Sequence, residues 1–297
     1  IWMKNQIVDL GETQKQTQVS LNSNQLNNQN GSTGAIGGNP SSQLTNQTNG
    51  TTGSLLGAEV ASLPEPLANR PKGKILVLRA PKDSPVHTPP PGGDFVDVEA
   101  GANFALALKA DGSVIAWGEN DEGQLDVPGG LVGVKDISAA AKWAFAVKSD
   151  GTLVGWGGGN GKTYGALNIP KGLEDVVVVD TGGAHALAVT REGNVYGWGS
   201  SSMKQADPPE SLQKAVFVEA NNLSSYALKS DGSVVGWGVS RPEISPPEEF
   251  TGFVSISTFK SIYDVVIYGV KKDGSLWKWG IKDLRAEQIK GVSKAKS

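Results

Sequence analysis

Cysteine is absent from all 297 residues, which excludes disulfide frameworks, thiolate nucleophiles, cysteine-based zinc sites and iron–sulfur clusters. Histidine occurs only twice, at His87 and His185, and neither has the sequence neighbours of a catalytic dyad or triad. Charge is sparse, at 19% of residues with a net −3, so the strong positive field that non-specific nucleic-acid binding requires is missing. No apolar run approaches the ~20 residues of a membrane-spanning helix. Glu, Lys and Ala, which fill helices, give way to 39 glycines and 16 prolines, so the chain reads as turn-dense and all-β. The length is sufficient for a large buried core. The first residue is Ile1, not an initiator methionine, and the expectation is a processed or longer precursor, with export as the compartment it suggests.

Composition divides the chain at residues 53 and 93. Residues 1–53 open with Trp2, Met3, Ile7, Val8 and Leu10 near helical spacing, which predicts a short amphipathic helix running to Gly11. From Gly11 to Gly53 the chain is dominated by Asn, Gln, Ser, Thr and Gly, too polar to form its own core, and is read as an extended low-complexity linker or assembly segment. Residues 54–93 are punctuated by Pro64, Pro66, Pro71, Pro81, Pro85, Pro89, Pro90 and Pro91, which favours extended geometry. Within them, Lys74 to Arg79 is the one strand candidate, suited to adding at the edge of a larger structure.

Residues 94–297 repeat. An acid–glycine turn followed by Trp-Gly occurs at Asp111-Gly112/Trp117-Gly118, Asp150-Gly151/Trp156-Gly157, Glu192-Gly193/Trp198-Gly199, Asp231-Gly232/Trp237-Gly238 and Asp273-Gly274/Trp279-Gly280. Each unit opens with two apolar residues three apart, from Phe95/Val98 to Phe253/Ile256, and Val292/Ala295 makes a sixth opening. A strand such as Phe104 to Leu108, a hairpin with left-handed positions suited to Asp-Gly, and a return strand ending in Trp-Gly fill about 40 residues, the size of a propeller blade. The expectation is therefore a β-propeller of about five blades, or six if the terminal strands join. The glycine beside each tryptophan is expected to admit a close backbone approach, with the indole between blades.

These Trp-Gly and Asp-Gly pairs resemble the regulator of chromosome condensation repeat family in its short bacterial form. The likeness extends to Gly123-Gln124-Leu125 and to the linker Val127-Pro128-Gly129-Gly130-Leu131, echoed at Ile169-Pro170-Lys171-Gly172-Leu173. It covers roughly Asp94 to Ser297 and nothing earlier. Familiar members close with seven blades, so five units and a sixth opening leave closure to be explained. The resemblance implies protein binding rather than catalysis: nucleotide exchange on a nuclear GTPase, β-lactamase inhibition, or extracellular roles in bacteria. The nuclear role is disfavoured, because an uncharged Asn/Gln/Ser segment stands where a basic chromatin-binding tail would be.

No cofactor or metal is expected. Trp156 to Thr163 falls one glycine short of a phosphate-binding loop and precedes Ile169-Pro170 instead of a helix. Glu119 to Gly123 lacks the alternating ligands of a calcium loop. Phe104, Trp143 and His185 occupy equivalent positions at the start of the second strand, and Tyr263 lies at the same turn of unit five, so an aromatic binding rim competes with packing between blades. Residues 94–130 carry eight acids and one lysine, whereas residues 260–297 carry nine bases and four acids. First and last units therefore attract, in a closing ring or between subunits. The function expected is that of a non-catalytic, exported bacterial surface or filament subunit displaying a propeller and assembling through its N-terminal segment, a layout similar to pilin-like subunits. The alternatives are a soluble inhibitor or receptor-type binder of one protein, and a glycan-binding lectin.

Overall fold

The computed structural model describes residues 8–9, 15–20, 67, 70, 72–79, 86, 88–159, 163–239, 246, 251–258, 266–280 and 287–289. Within these the protein is all-β. Five antiparallel sheets follow one another as propeller blades. To number the strands in chain order, β1 (Val8–Asp9), β2 (Lys15–Ser20) and β3 (Lys74–Arg79) precede them. Blade one is β4 (Phe95–Ala100), β5 (Phe104–Lys109) and β6 (Val114–Gly118), and blade two is β7 (Val134–Ala140), β8 (Trp143–Lys148) and β9 (Leu153–Gly157). Blade three is β10 (Val176–Thr181), β11 (His185–Thr190) and β12 (Val195–Gly199), and blade four is β13 (Ala215–Ala220), β14 (Ser224–Lys229) and β15 (Val234–Gly238). Blade five, β16 (Phe253–Thr258), β17 (Val266–Lys271) and β18 (Leu276–Gly280), gains a fourth strand, β19 (Glu287–Gln288).

The same local physics recurs in every blade. A bulge interrupts the first strand near its start, at Phe95/Asp97, Val134/Asp136, Val176/Val178, Ala215/Phe217 and Phe253/Ser255. Such bulges sharpen the strand's twist. In the hairpins, Asp111, Asp150, Asp231 and Asp273 each accept the backbone N–H two residues on. The glycine after each of these acids, and Gly193, then takes a positive φ. Adjacent blades are stitched at that glycine. Val134, Val176, Ala215 and Phe253 donate their N–H groups to the carbonyls of Gly112, Gly151, Gly193 and Gly232.

Packing between blades follows from strand alternation. Phe104, Leu106 and Leu108 of blade one are buried against Val134, Ile137, Ala139 and Trp156 of blade two. The opposite face of blade one, Ala105, Ala107 and Trp117, packs on Ile75 and Val86 upstream. Each buried Phe or Leu contributes roughly 1.5–3 kcal/mol, so the blade-to-blade seams form the core.

The expected role of Trp-Gly holds in detail. Each signature indole, Trp117, Trp156, Trp198, Trp237 and Trp279, is buried. Four of them donate Nε1–H to a carbonyl of the connection behind them, at Val86, Gln124, Ala166 and Gln205, over 2.6–3.2 Å. A Cβ on Gly118, at φ +117°, would lie 2.4 Å from the Asn103 carbonyl oxygen, so only glycine fits beside Trp117.

Those bonds also define a unit that the Trp-Gly signature does not mark, the one that the strand near Ile75 to Leu78 was expected to complete. Gly73 accepts the Phe95 N–H, as the hairpin glycines of later units accept from the next first strand, and in addition donates to the Phe95 carbonyl. Val86 accepts Trp117 as Gln124 accepts Trp156. Strand β3 therefore stands as the third strand of a unit preceding blade one, with no Trp-Gly to mark it. It pairs in parallel with β2, which pairs antiparallel with β1.

Two expectations require adjustment. Val8–Asp9 is a strand and not part of a helix; residues 1–7 and 10–11 lie outside the described residues. Lys15–Ser20, within the polar linker, is a strand because β3 offers it an unpaired edge and because Thr17 and Val19 are β-branched. The sixth opening at Val292/Ala295 also lies outside the described residues.

Candidate interaction face

Strand direction gathers two kinds of segment at one end of the array. First strands end there and turn into second strands, at residues 101–103, 141–142, 182–184 and 221–223. Third strands end there too. The connection after each is tied back to the neighbouring turn: Glu119, Gly158, Ser200 and Val239 donate N–H groups to the carbonyls of Asn103, Lys142, Ala184 and Leu223. Backbone hydrogen bonds thus fix this face while its side chains vary.

The aromatic rim does not lie where the repeat suggests. Phe104, Trp143 and His185 are buried, because the first residue of each second strand points into the seam with the next blade. Phe104 folds over Gly101, where a Cβ would be 2.0 Å from the ring. Trp143 Nε1–H donates to Thr181 Oγ1 across 3.0 Å. His185 Nε2 is 2.8 Å from Ser225 Oγ, which itself donates to the Gln205 carbonyl. These side chains join blades instead of facing a partner. Tyr263 lies outside the described residues.

Among the described residues, the large exposed apolar side chains of this face are Tyr164 (66%), Met203 (45%) and Leu223 (36%). Tyr164 and Met203 hold the same register position, two residues before the carbonyls, Ala166 and Gln205, that accept the next blade's tryptophan. In the connection after blade one that position is Glu122. Tyr164 has φ +53°, an unfavourable left-handed geometry for a non-glycine residue. Counting back 34 residues from Trp156, Trp198 and Trp237 would have found all three positions in the sequence.

The electrostatics change along the face. Lys142, on the turn of blade two, pairs with Asp121 and, at 3.5 Å, with Glu122. This hydrogen bond holds the Asp121 carboxyl below the usual carboxylate range, with Gln124 adding to the effect, and raises the Lys142 ammonium. Glu119 accepts from Asn103, and Asp126 from Asn120. The carboxylates of Glu119, Asp121 and Glu122 thus bond to neighbouring side chains. The near-phosphate loop around Gly158 passes into turns at Thr163–Leu167 and no helix follows it.

A second set of polar residues was not singled out in the sequence. Asp136 accepts the Val179 N–H from blade three, and Asp180 accepts both the Ser138 hydroxyl of blade two and the Ala220 N–H of blade four. Glu219 accepts the Thr258 hydroxyl of blade five. Their signal is an acid at the third or fifth position of the first strand, as in Phe95-Val96-Asp97-Val98-Glu99. These buried carboxylates link the first strands of successive blades.

The comparisons agree with this geometry. The family model described as "Regulator of chromosome condensation (RCC1) repeat" matches residues 95–124 and 176–205. No curated protein matches the chain in sequence. Among solved structures, Prp20p from Saccharomyces cerevisiae, described with its binding properties to Gsp1p and histones, is 16% identical, with a TM-score of 0.51 over 68% of this chain and 67% of that one. The CRINKLY WD40 ectodomain of the Arabidopsis thaliana receptor kinase ACR4 is 20% identical, with a TM-score of 0.48 over 63% and 65%. The BP39L lectin from Burkholderia pseudomallei is 14% identical, with a TM-score of 0.43 over 70% and 73%. At these identities the likeness concerns fold alone. Repeated blades and the family match together show regulator of chromosome condensation repeats at residues 95–124 and 176–205 within a β-propeller fold.

Proposed function

We propose that this chain is a non-catalytic structural and protein-interaction subunit of an exported surface or filament assembly, displaying the propeller and associating through its N-terminal segment. The observation that carries the reading is β2: a strand from an otherwise Asn/Gln/Ser-rich stretch is hydrogen-bonded to β3 at the margin of the repeat array. Strand pairing of this kind lets a polar segment bind through its main chain without a core of its own. Light scattering and electron microscopy of the full chain, beside a chain beginning after Gly53, test the reading. Polymers formed by the first and lost in the second are expected; a full chain that stays monomeric at every concentration refutes it.

A second reading, a soluble inhibitor or receptor-type binder, is favoured by Tyr164 and Met203. Exposed tyrosine and methionine on loops held by a rigid scaffold suit recognition of one protein partner. Under it, the chain remains monomeric, and Tyr164→Ala weakens capture of the partner without changing the melting temperature.

A further inference from the structure

Blades one to four share a property that blade five lacks. Their second strands are buried on both faces, in the patterns of β5, β8, β11 and β14, because the next blade covers the forward face. In β17 the forward-facing residues Val266, Tyr268 and Val270 are only partly buried. By register Tyr268 takes the place of Leu106, Phe145, Leu187 and Tyr226, all fully buried. The rearward residue Ile267 is buried against blade four, as its equivalents are. Among the described residues, no strand of blade five packs broadly against β1–β4. One seam that the repeat is built to form is therefore left without its second half.

We propose that this face of blade five docks the N-terminal sheet, β1–β3, of a second copy of the chain, so that the array runs on from one copy to the next. The proposal rests on the self-assembly reading above and names its acceptor surface. Continuity argues for this occupant: β3 already stands as the last strand of a unit preceding blade one, with Gly73 and Val86 in the unit's usual bonds. A sheet of that kind is what lies between one array's end and another's beginning. Charge argues the same way. In the sequence, residues 260–297 carry nine bases and four acids, and residues 94–130 carry eight acids and one lysine, so copies following one another are of opposite sign at these two ends.

The test uses full-length variants, with mass by light scattering across a wide concentration range and fold by circular dichroism. Tyr268→Asp places a charge on the acceptor face; Thr17→Pro breaks β2 in the donor sheet; Tyr196→Asp, on the exposed outer strand of blade three, is the control. The native chain and the control are expected to form oligomers, with each of the other variants associating about tenfold more weakly or worse. Mixed together, Tyr268→Asp and Thr17→Pro each keep one sound surface, so a one-to-one complex that grows no further is expected. If Tyr268→Asp does not fold, Val266→Lys takes its place in both arms. Oligomers unaffected by the acceptor variant overturn the proposal while self-assembly stands. A native chain that is monomeric throughout, as when its own N-terminal sheet or its own residues 290–297 cover the face, overturns both.

Discussion

Replacing Asp180 by alanine should destabilise the array strongly, and far more than replacing an exposed hairpin acid. The side chain is 3% exposed and joins three blades: Oδ1 accepts the Ser138 hydroxyl at 3.0 Å and Oδ2 the Ala220 N–H at 2.7 Å. Truncation leaves two buried donors unpaired. Each costs about 1–3 kcal/mol, so a loss of about 2–6 kcal/mol is expected. Asp180→Asn retains one acceptor oxygen and should lose about half as much. Urea unfolding followed by tryptophan fluorescence reads this directly, since every signature indole is buried in a blade seam. With a slope of about 3 kcal/mol/M, the midpoint should fall by about 1 M for alanine. Asp150→Ala is the control, an exposed hairpin acid whose removal should barely move the midpoint. If Asp180→Ala unfolds within about 0.5 kcal/mol of the native chain, the first-strand carboxylates do not hold the blades together.

Other outcomes follow from the same geometry. Gly118→Ala meets both a positive φ and the Asn103 carbonyl and should cost about 3 kcal/mol, whereas Gly130→Ala, at φ +79° with nothing within 4 Å, should cost about 1 kcal/mol; the same urea titration separates them. Trp198→Phe removes the 2.6 Å bond to the Ala166 carbonyl and alters the edge-on contact with Phe145, and should lower stability by about 2 kcal/mol, read by thermal melting. Burial raises the Tyr226 phenol above its ordinary value of 10.0 and, to a lesser depth of burial, that of Tyr268. Stability from such groups is complete below pH 10 and declines above it, because the unfolded chain ionises first. Ultraviolet difference titration should therefore show Tyr226 ionising only with unfolding, and ionisation at pH 10 in a folded chain would contradict its burial. The hairpin acids Asp111, Asp150 and Asp231 act at the other end of the scale, held low chiefly by hydrogen bonds from Ser113, Lys148 with Thr152, and Ser233. Their contribution is present above about pH 4 and is lost on further acidification, a small, salt-sensitive decline in melting temperature.

The blades were legible in the sequence because their determinants are local and repeated. Asp-Gly sets a hairpin, Trp-Gly ends a strand, and both recur at fixed intervals, so strand limits such as Phe104–Lys109 follow from a few residues. The rim was misplaced because periodicity identifies equivalent positions without saying which face is covered. Phe104, Trp143 and His185 do share an environment, but that environment is the seam. The unit before blade one was legible only as a strand near Ile75 to Leu78 that could complete a blade: Gly73 and Val86 make the standard backbone bonds without the standard side chains, and sequence reading sees side chains.

That division explains where function can reside on such a scaffold. The bonds that fix one blade against the next run largely from backbone to backbone, or from an indole to a carbonyl, so the side chain two places before that carbonyl can vary in chemistry. It is Glu122 in one loop, Tyr164 in the next and Met203 in the third, three chemistries on one geometry. Where a fold repeats, the invariant positions report stability and the equivalent positions that differ report recognition. Tyr164 is the informative case, since its ring is exposed and its backbone is held at φ +53°, neither of which the seam requires. If that strain served the loop alone, Tyr164→Gly would stabilise the protein and leave partner binding intact; loss of binding together with a gain in stability would assign the residue to recognition.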